Sequence, residues 1–511
     1  MQPATTDKTL KIGFNTFDGD VYDGSPSFVL PAESGRGVDF VLCHFDPHHY
    51  PLDEASEKAK AVAEKIKERG MEFIANFEFQ NFVHLCRSVD HDWANRPDGT
   101  HRLDIPEKYI KALAGAGNLI GVMHDEFEHT IINQNLSIIL ASRGKTRLPV
   151  FPLSESSDPM VQSRLLDSQL KEYADEIKAK GAPLFTGEHV FPVFYHKFAR
   201  SGIVPNFKSQ KESYSNLQFA TAAGAALQYG TPLYNCVDLW FMNTNPGHSP
   251  EEMYHNLLFA YYAGVNRVYV ESAHCFVDGD PAGLNAYGKK FAQFSAEYRG
   301  RERDYDIADY RPEIGIIRFD DSFWGQGDPV MWRYMLFGNP KIKPTKESKE
   351  WIKAFRLITH GETGRHTFCW DKIAPSILKK HRSFAAMNSA AVFDENVGKE
   401  TLSSLKLCFL CGSYISAETL QAVRELVKEN GLTVVTPKRY APKSIGKETF
   451  RILADGKGKW IVCDNLLDSK VKEFIAPFLG RKGEIRLTFA GGREIRLKIS
   501  KNGEGFTVIK E

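Results

Sequence analysis

The chain has 511 residues, with 65 Lys and Arg against 64 Asp and Glu, for a formal net charge of +1. That balance gives no electrostatic reason to expect a nucleic acid or an anionic membrane as partner. The length suits about two to four domains, or a barrel of about 250 residues with appendages. A 42% hydrophobic, 25% charged and 12% aromatic composition argues for a globular core and against disorder.

The opening residues Met1 to Lys8 lack the apolar region of a secretion signal, and no run of about 18 apolar residues follows anywhere. No membrane-spanning segment is expected. The compartment stays open, because a chain whose secretion or lipoprotein signal ended before residue 1 would read like a cytoplasmic one.

From residue 10 to 275, apolar strand-like runs alternate with amphipathic helix-like stretches, the pattern of a parallel α/β sheet or barrel. The runs are KIGFNTF (11–17), DFVLCHF (39–45), EFIANFEF (72–79), NLIGVMHDEFEH (118–129), PLFTGEHVF (183–191), a weak IVPNF (203–207), PLYNCVDLWF (232–241) and RVYVESAH (267–274). Eight strands is the (β/α)8 TIM-barrel number. The stretches 53–70, 167–181 and 250–264 repeat near the helical period, and each closes at a glycine, as helices do. GAGNLIG (115–121) superficially suggests a dinucleotide fingerprint, but it precedes its strand and reads as a turn.

Near residue 300 the character changes. YRGRERDYDIADYRP (298–312) hands over to a fresh strand, EIGIIRFDD (313–321), followed by a Trp/Tyr-rich, helix-like WGQGDPVMWRYMLFG. Then LKLCFLCG (405–412), SAETLQAVRELVKENG (416–431) and LTVVTP (432–437) form a strand, helix and strand of flavodoxin-like character. The last segment alternates at period two around AGG and NGEG turns, as a small antiparallel β module does. Three parts result: a barrel over 1–305, a flavodoxin-like, amidotransferase-like α/β domain over 306–478 and a β domain over 479–511. The cysteines sit mostly in apolar runs and read as buried thiols. Cys408 and Cys411 form a C-x-x-C, but in a strand positions three apart face opposite ways.

In a barrel, active-site groups come from the C-terminal strand ends, and here those ends are polar and mostly acidic. They carry Asn15 and Asp18, His44 and Asp46, Asn76, Glu78 and Gln80, then His124, Asp125, Glu126, Glu128 and His129, Glu188 and His189, Asp238 and Trp240, and Glu271 and His274. A ring of carboxylates and aromatics suits glycosidic cleavage, in which one carboxylic acid protonates the leaving oxygen and a second carboxylate attacks or activates water. Crowded carboxylates raise one another's pKa, which keeps one protonated as the acid. Glu126 follows the apolar run NLIGVM directly, where a strand delivers a side chain to the mouth. Glu128 reads as a surface residue or helix cap, while His48, His49 and the segment near Trp324 read as packing or loop. Asp46, His44, Asp125, Glu126 and His129 are also acceptable ligands for Zn²⁺ or Mn²⁺, so a metal-dependent hydrolase or isomerase is the competing reading. No helix-borne H-E-x-x-H supports it.

The order of parts resembles the family 42 glycoside hydrolases, the β-galactosidases of that name, and their relatives among the retaining (β/α)8 glycosidases. PEEMYHNLLFAYYAGVNRVYVESA (250–273) resembles the family's last helix and eighth strand, and the segment 405–437 resembles its trimerisation domain. The resemblance implies a divergent member acting on a carbohydrate, assembled as a homotrimer and needing no cofactor or metal. The clan's Asn-Glu pair at the end of strand four maps onto Asp125-Glu126, with Asp in place of Asn, and gives Glu126 the acid/base role. The clan's nucleophile is a Glu at the end of strand seven, where this chain has Asp238. The role therefore falls first to Glu271 and second to Asp238, unless the strand count is off by one. Glu188, Asp125, Glu78, Trp240, His44 and Asn76 would line the sugar subsites. The missing strand-seven Glu also motivates a third reading, a non-catalytic carbohydrate-binding or assembly protein on a degenerate barrel.

Overall fold

The computed structural model describes residues 8–45, 47, 50–77, 105–132, 151–189, 194–209, 214–240, 244–321, 327–328, 333–362, 382–442 and 449–511. Eight parallel strands close into a barrel in chain order: β1 Lys11–Phe17, β2 Phe40–His44, β3 Glu72–Asn76, β4 Leu119–His124, β5 Phe185–His189, β6 Val204–Ser209, β7 Tyr234–Asp238 and β8 Arg267–Glu271. β8 pairs back onto β1, with Lys11 beside Arg267. The strand count is therefore as expected, with Asp238 ending β7 and Glu271 ending β8. The sixth strand is not weak: it runs two residues past the predicted Phe207, with all six positions buried.

The helices form where the residue order demands. Leu52–Glu68 buries Ala55, Ala59, Val62, Ala63 and Ile66 along one face, and Gly70 beyond it adopts a left-handed φ of 72°. Pro250–Tyr262 opens with a capping box between Ser249 and Glu252. The helix predicted from 167 starts earlier, at Pro159, because the start signal lies upstream: Asp158 accepts from the Met160 amide and proline takes the first turn. The WGQGDPVMWRYMLFG segment is not helix-like in its described residues, since Gly327–Asp328 pairs antiparallel with Arg333–Tyr334. Glycines and a proline at such spacing disfavour a helix.

Side chains alternate across each strand, so one residue in two enters the barrel. Phe40, Leu42, Ile74, Met123, Val204, Tyr234, Cys236 and Tyr269 pack there into a separate apolar cluster. Further along the same faces the residues turn polar: His44 follows Leu42, Asn76 follows Ile74, Asn206 and Lys208 follow Val204, and Asp238 follows Cys236. The lumen is therefore plugged at one end and charged at the other.

A second, six-stranded sheet follows. Its strand Ile314–Arg318, second from one edge, lies parallel to Ala390–Asp394 on one side and Leu407–Leu410 on the other. Thr433–Thr436 and Gly458–Cys463 continue the parallel order, and Phe450–Asp455 closes the far edge antiparallel. Three antiparallel strands, Glu484–Thr488, Glu494–Ile499 and Phe506–Lys510, complete the chain. A TIM barrel followed by an α/β sheet and a small antiparallel β sheet is thus the architecture. Among the described residues no helix is long and apolar enough to cross a membrane.

Two of the contacts that hold the second sheet on the barrel carry the most consequence. The helix Ser215–Tyr229, between β6 and β7, packs on the edge strand Ala390–Asp394 so closely that a side chain on Gly224 would overlap the Val392 carbonyl oxygen and stand 2.6 Å from its carbon. Arg200, at the end of the helix Tyr195–Arg200, reaches Asp167 and Asp394 at 3.0 Å and Asp320 at 2.5 Å. Asp320 and Asp394 are fully buried. Removing one partner of such a cluster leaves buried charge uncompensated. Arg200→Ala should therefore lower stability by about 3–5 kcal/mol in urea unfolding, and a loss below about 1 kcal/mol would show that solvent replaces the guanidinium.

Candidate active site

Four carboxylates from four strand ends converge on one cation. Lys208 Nζ lies 2.8 Å from Glu271 Oε2, 3.4 Å from Glu126 Oε1, 3.4 Å from Asp238 Oδ2 and 3.5 Å from Glu188 Oε2. The Lys208 side chain is 2% exposed, against 24% for Glu126 and 14% for Glu271. Burial opposes its charge, but the surrounding carboxylates override that and hold the ammonium well above the ordinary lysine pKa. Lys208 is therefore a fixed cation, not the deprotonated amine an imine-forming nucleophile needs.

The acids respond in the opposite sense. Loss of solvent, opposed by Lys208 and reinforced by Asp125, Glu128 and Asp238, lifts Glu126 to about 8. Loss of solvent and the Asp238 charge lift Glu271 to about 8, again opposed by Lys208. Glu188 is pushed up chiefly by burial. It accepts a hydrogen bond from the Tyr269 hydroxyl, which in turn accepts one from Asn206 at 2.8 Å. Asp238 is held at both ends, Oδ1 accepting from the Trp240 amide at 2.8 Å while Oδ2 faces Lys208. Glu271 Oε2 also receives the Cys236 thiol at 3.3 Å.

The backbone at this rim is unusual. Glu126 sits at φ 44° and Ser272, directly after Glu271, at φ 83°. Left-handed non-glycine residues persist only where their surroundings hold them, and they gather at functional sites.

Most residues singled out in the sequence meet here: Asp125, Glu126, Glu188, Asp238 and Glu271 share the mouth. His44 and Asn76 adjoin it, with His44 Nε2 3.2 Å from the Asn15 amide and Nδ1 3.3 Å from that of Asn76. Phe17 stacks on His44 and on His274. It is 38% exposed, and Trp240 at the end of β7 is 42% exposed. Glu128 is no surface residue but is fully buried, in the first turn of the helix Phe127–Ile132. Glu78, Asp46, His48, His49, Gln80, Trp324 and the side chains of His129 and His189 lie outside the described residues. Sequence reasoning missed Lys208, Tyr269, Asn206 and Cys236. The available signal was period two in β6, which places Asn206 and Lys208 on the lumen face with Val204.

His124, at the end of β4, is committed elsewhere, with Nε2 2.6 Å from the Tyr173 hydroxyl and its ring stacked on Phe127. Glu188, Cys236 and Glu271 bring three potential ligand atoms within 4.8 Å of one another. The Lys208 ammonium already stands within 3.5 Å of both carboxylates of this set, and a divalent ion there would meet it as a like charge. Cys408 and Cys411 are buried free thiols.

Fold and site together define a TIM barrel with a carboxylate-ringed, aromatic-edged mouth. No protein-family model matches the chain, and no curated protein does. Solved structures similar to it include a polyextremophilic β-galactosidase from the Antarctic haloarchaeon Halorubrum lacusprofundi, at 12% identity over 98% of both chains with a TM-score of 0.49. An exo-carrageenase GH42 from Bacteroides ovatus is 11% identical over 96% of this chain and 72% of that one, with a TM-score of 0.41. GH5_18 from Streptomyces cattleya, solved with GlcNAc, is 14% identical over 76% of this chain and 99% of that one, with a TM-score of 0.38.

Proposed function

We propose that the protein is a retaining glycoside hydrolase in which Glu126 is the general acid/base and Glu271 the nucleophile. The observation that carries this is the shared contact to Lys208. Glu126 and Glu271 oxygens touch the same Nζ at 3.4 and 2.8 Å, so they lie no further apart than those two legs end to end. For those two oxygens this accommodates the about 5–5.5 Å separation of retaining pairs. Glu126 is the more exposed of the two; both carboxyls are lifted to about 8, and the closer ammonium contact of Glu271 marks it as the one to ionise first, leaving the proton on Glu126 as the acid.

Asp238 is the weaker nucleophile candidate, because both its oxygens are engaged by Trp240 and Lys208. Glu271 has one oxygen held by Lys208 and Cys236, which leaves the other to attack. Asp125, Glu188, His44, Asn76 and Trp240 would border the sugar, with Trp240 and Phe17 offering ring surface for stacking. Trimeric assembly belongs to the same proposal, supported by the resemblance of 405–437; sedimentation equilibrium measures it, and a monomeric mass would overturn it.

Hydrolysis of a panel of aryl glycosides and glycan pools tests the reaction, with the first-formed anomer read by proton NMR. Retention is expected, and undiminished activity after chelation. Glu271→Gln should reduce turnover far more than Asp238→Asn. A reversed order would move the nucleophile to Asp238. Tight glycan binding without product would overturn the enzymatic reading.

A further inference from the structure

Lys208 is a charge that the reaction as described does not use. It cannot reach solvent, it is too strongly protonated to act as a base, and its side chain crosses the lumen to a point where β4, β5, β7 and β8 each deliver a carboxylate. Its contacts are unequal. Only Glu271, at 2.8 Å, is at charge-assisted hydrogen-bond distance, while Glu126, Asp238 and Glu188 stand at 3.4 to 3.5 Å. We propose that Lys208 is a positioning residue that pins Glu271 as the ionised, attacking carboxylate and thereby divides the two catalytic roles between Glu271 and Glu126. This rests on the glycosidase reading for its catalytic meaning, but the pinning itself is a property of the folded chain.

The physical case is one of competition for a single cation. Glu271 and Glu126 feel the same surroundings: Asp125 beside Glu126 on the β4 side, Glu128 and Tyr195 from the helices behind, Glu188 from β5, Cys236 and Asp238 from β7, and Tyr269 from β8. In such a set the first carboxyl to ionise is the one nearest the ammonium, and its charge then keeps the proton on its neighbour. The nearest is Glu271. Cys236 donates to the same oxygen, which fixes the carboxylate plane, and Ser272 in its left-handed conformation fixes where the strand releases it. Without Lys208 both glutamates would lose the opposing charge and both would hold protons to higher pH, and the charge that separates their roles would be gone.

Two measurements on the full chain test this. On an aryl glycoside that the parent hydrolyses, Lys208→Met should lower kcat at least a hundredfold with KM changed less than threefold. It should also move the acidic limb of the kcat/KM profile up by a pH unit or more, because Glu271 then ionises later. Lys208→Arg keeps the charge and should keep that limb in place. A uniformly lower rate with an unmoved limb in the Met variant overturns the proposal.

The second measurement needs no substrate, so it decides the matter even if the parent hydrolyses no glycoside and the proposed function fails. Carboxyls whose folded pKa is raised lose stability as pH rises from their unfolded value toward the folded one, and Lys208→Met enlarges that rise. The melting temperature of Lys208→Met should fall below that of the parent by an amount that grows above about pH 8, where the parent's raised carboxyls ionise and the variant's do not. Lys208→Met/Glu271→Gln should regain at least half of the loss at pH 9. Parallel curves, or a double variant no better than the single, overturn the pinning. If Lys208→Met does not fold at all, recovery of folding in the double variant supports it and failure of both overturns it.

Discussion

Glu126→Gln should lower kcat/KM by about 10²–10⁴-fold, the range for loss of a positioned general acid, on aryl glycosides with poor leaving groups. On a dinitrophenyl glycoside, whose departure needs no proton, the loss in the bond-breaking step should be far smaller. The pH profile carries the sign. Parent activity should decline above about pH 8, where Glu126 gives up its proton, and that alkaline limb should be absent from the variant's bond-breaking step. Stability should move the other way. The folded carboxyl is raised, so between its unfolded value and about 8 the native state binds more protons than the unfolded one, and Glu126 costs stability as pH climbs. Glu126→Gln should therefore be at least as stable as the parent at pH 8. Equal turnover with both leaving groups would remove Glu126 from the acid role.

The second large effect lies away from the chemistry. Gly224→Ala should destabilise the protein by more than about 3 kcal/mol, at or beyond the upper end of overpacking costs, although alanine is the better helix former by about 1 kcal/mol. The reason is what the new methyl would meet. Its nearest neighbours are the oxygen, carbon and nitrogen of Val392, backbone atoms of a strand paired along its other side with Ile314–Arg318, so no rotamer change relieves the overlap. Either the helix Ser215–Tyr229 moves, with β6 and β7 at its ends, or the edge strand leaves its sheet. Urea unfolding measures the loss. Gly19→Ala is the control, since nothing stands within 4 Å of its added carbon. A Gly224→Ala variant as stable as that control would show that the two bodies part without cost.

The barrel was legible because its strands are buried on both faces and read as continuous apolar runs. The run stops being readable where the lumen turns polar. β6 was cut at Phe207 because a lysine ordinarily marks a surface, and an ammonium is buried only when partners are brought to it. Those partners, Glu126, Glu188, Asp238 and Glu271, come from other strands, so no local window contains the arrangement. Glu126, Glu271 and Asp238 stand out in the sequence because barrels present chemistry at strand ends, a rule of position that needs no knowledge of contacts. Glu128 was misjudged for the same reason as Lys208: polarity was taken for exposure. The sequence ranks Glu271 before Asp238 only through the resemblance, since the contacts that bear on that order, to the Trp240 amide and the Cys236 thiol, lie outside any local window.

The plug of Phe40, Ile74, Val204, Tyr234 and Tyr269 gives the lumen a floor, and a floor makes traffic one-way in and one-way out. Under the proposed reaction, substrate, departing aglycone and incoming water all use the same mouth. Water cannot reach the sugar-bearing carboxylate from below, so the aglycone must vacate its place first. An alcohol waiting at the mouth then competes with water on equal terms of access. Partition between hydrolysis and sugar transfer would be set by occupancy of that entrance, and acceptor concentration becomes the handle on which product is made.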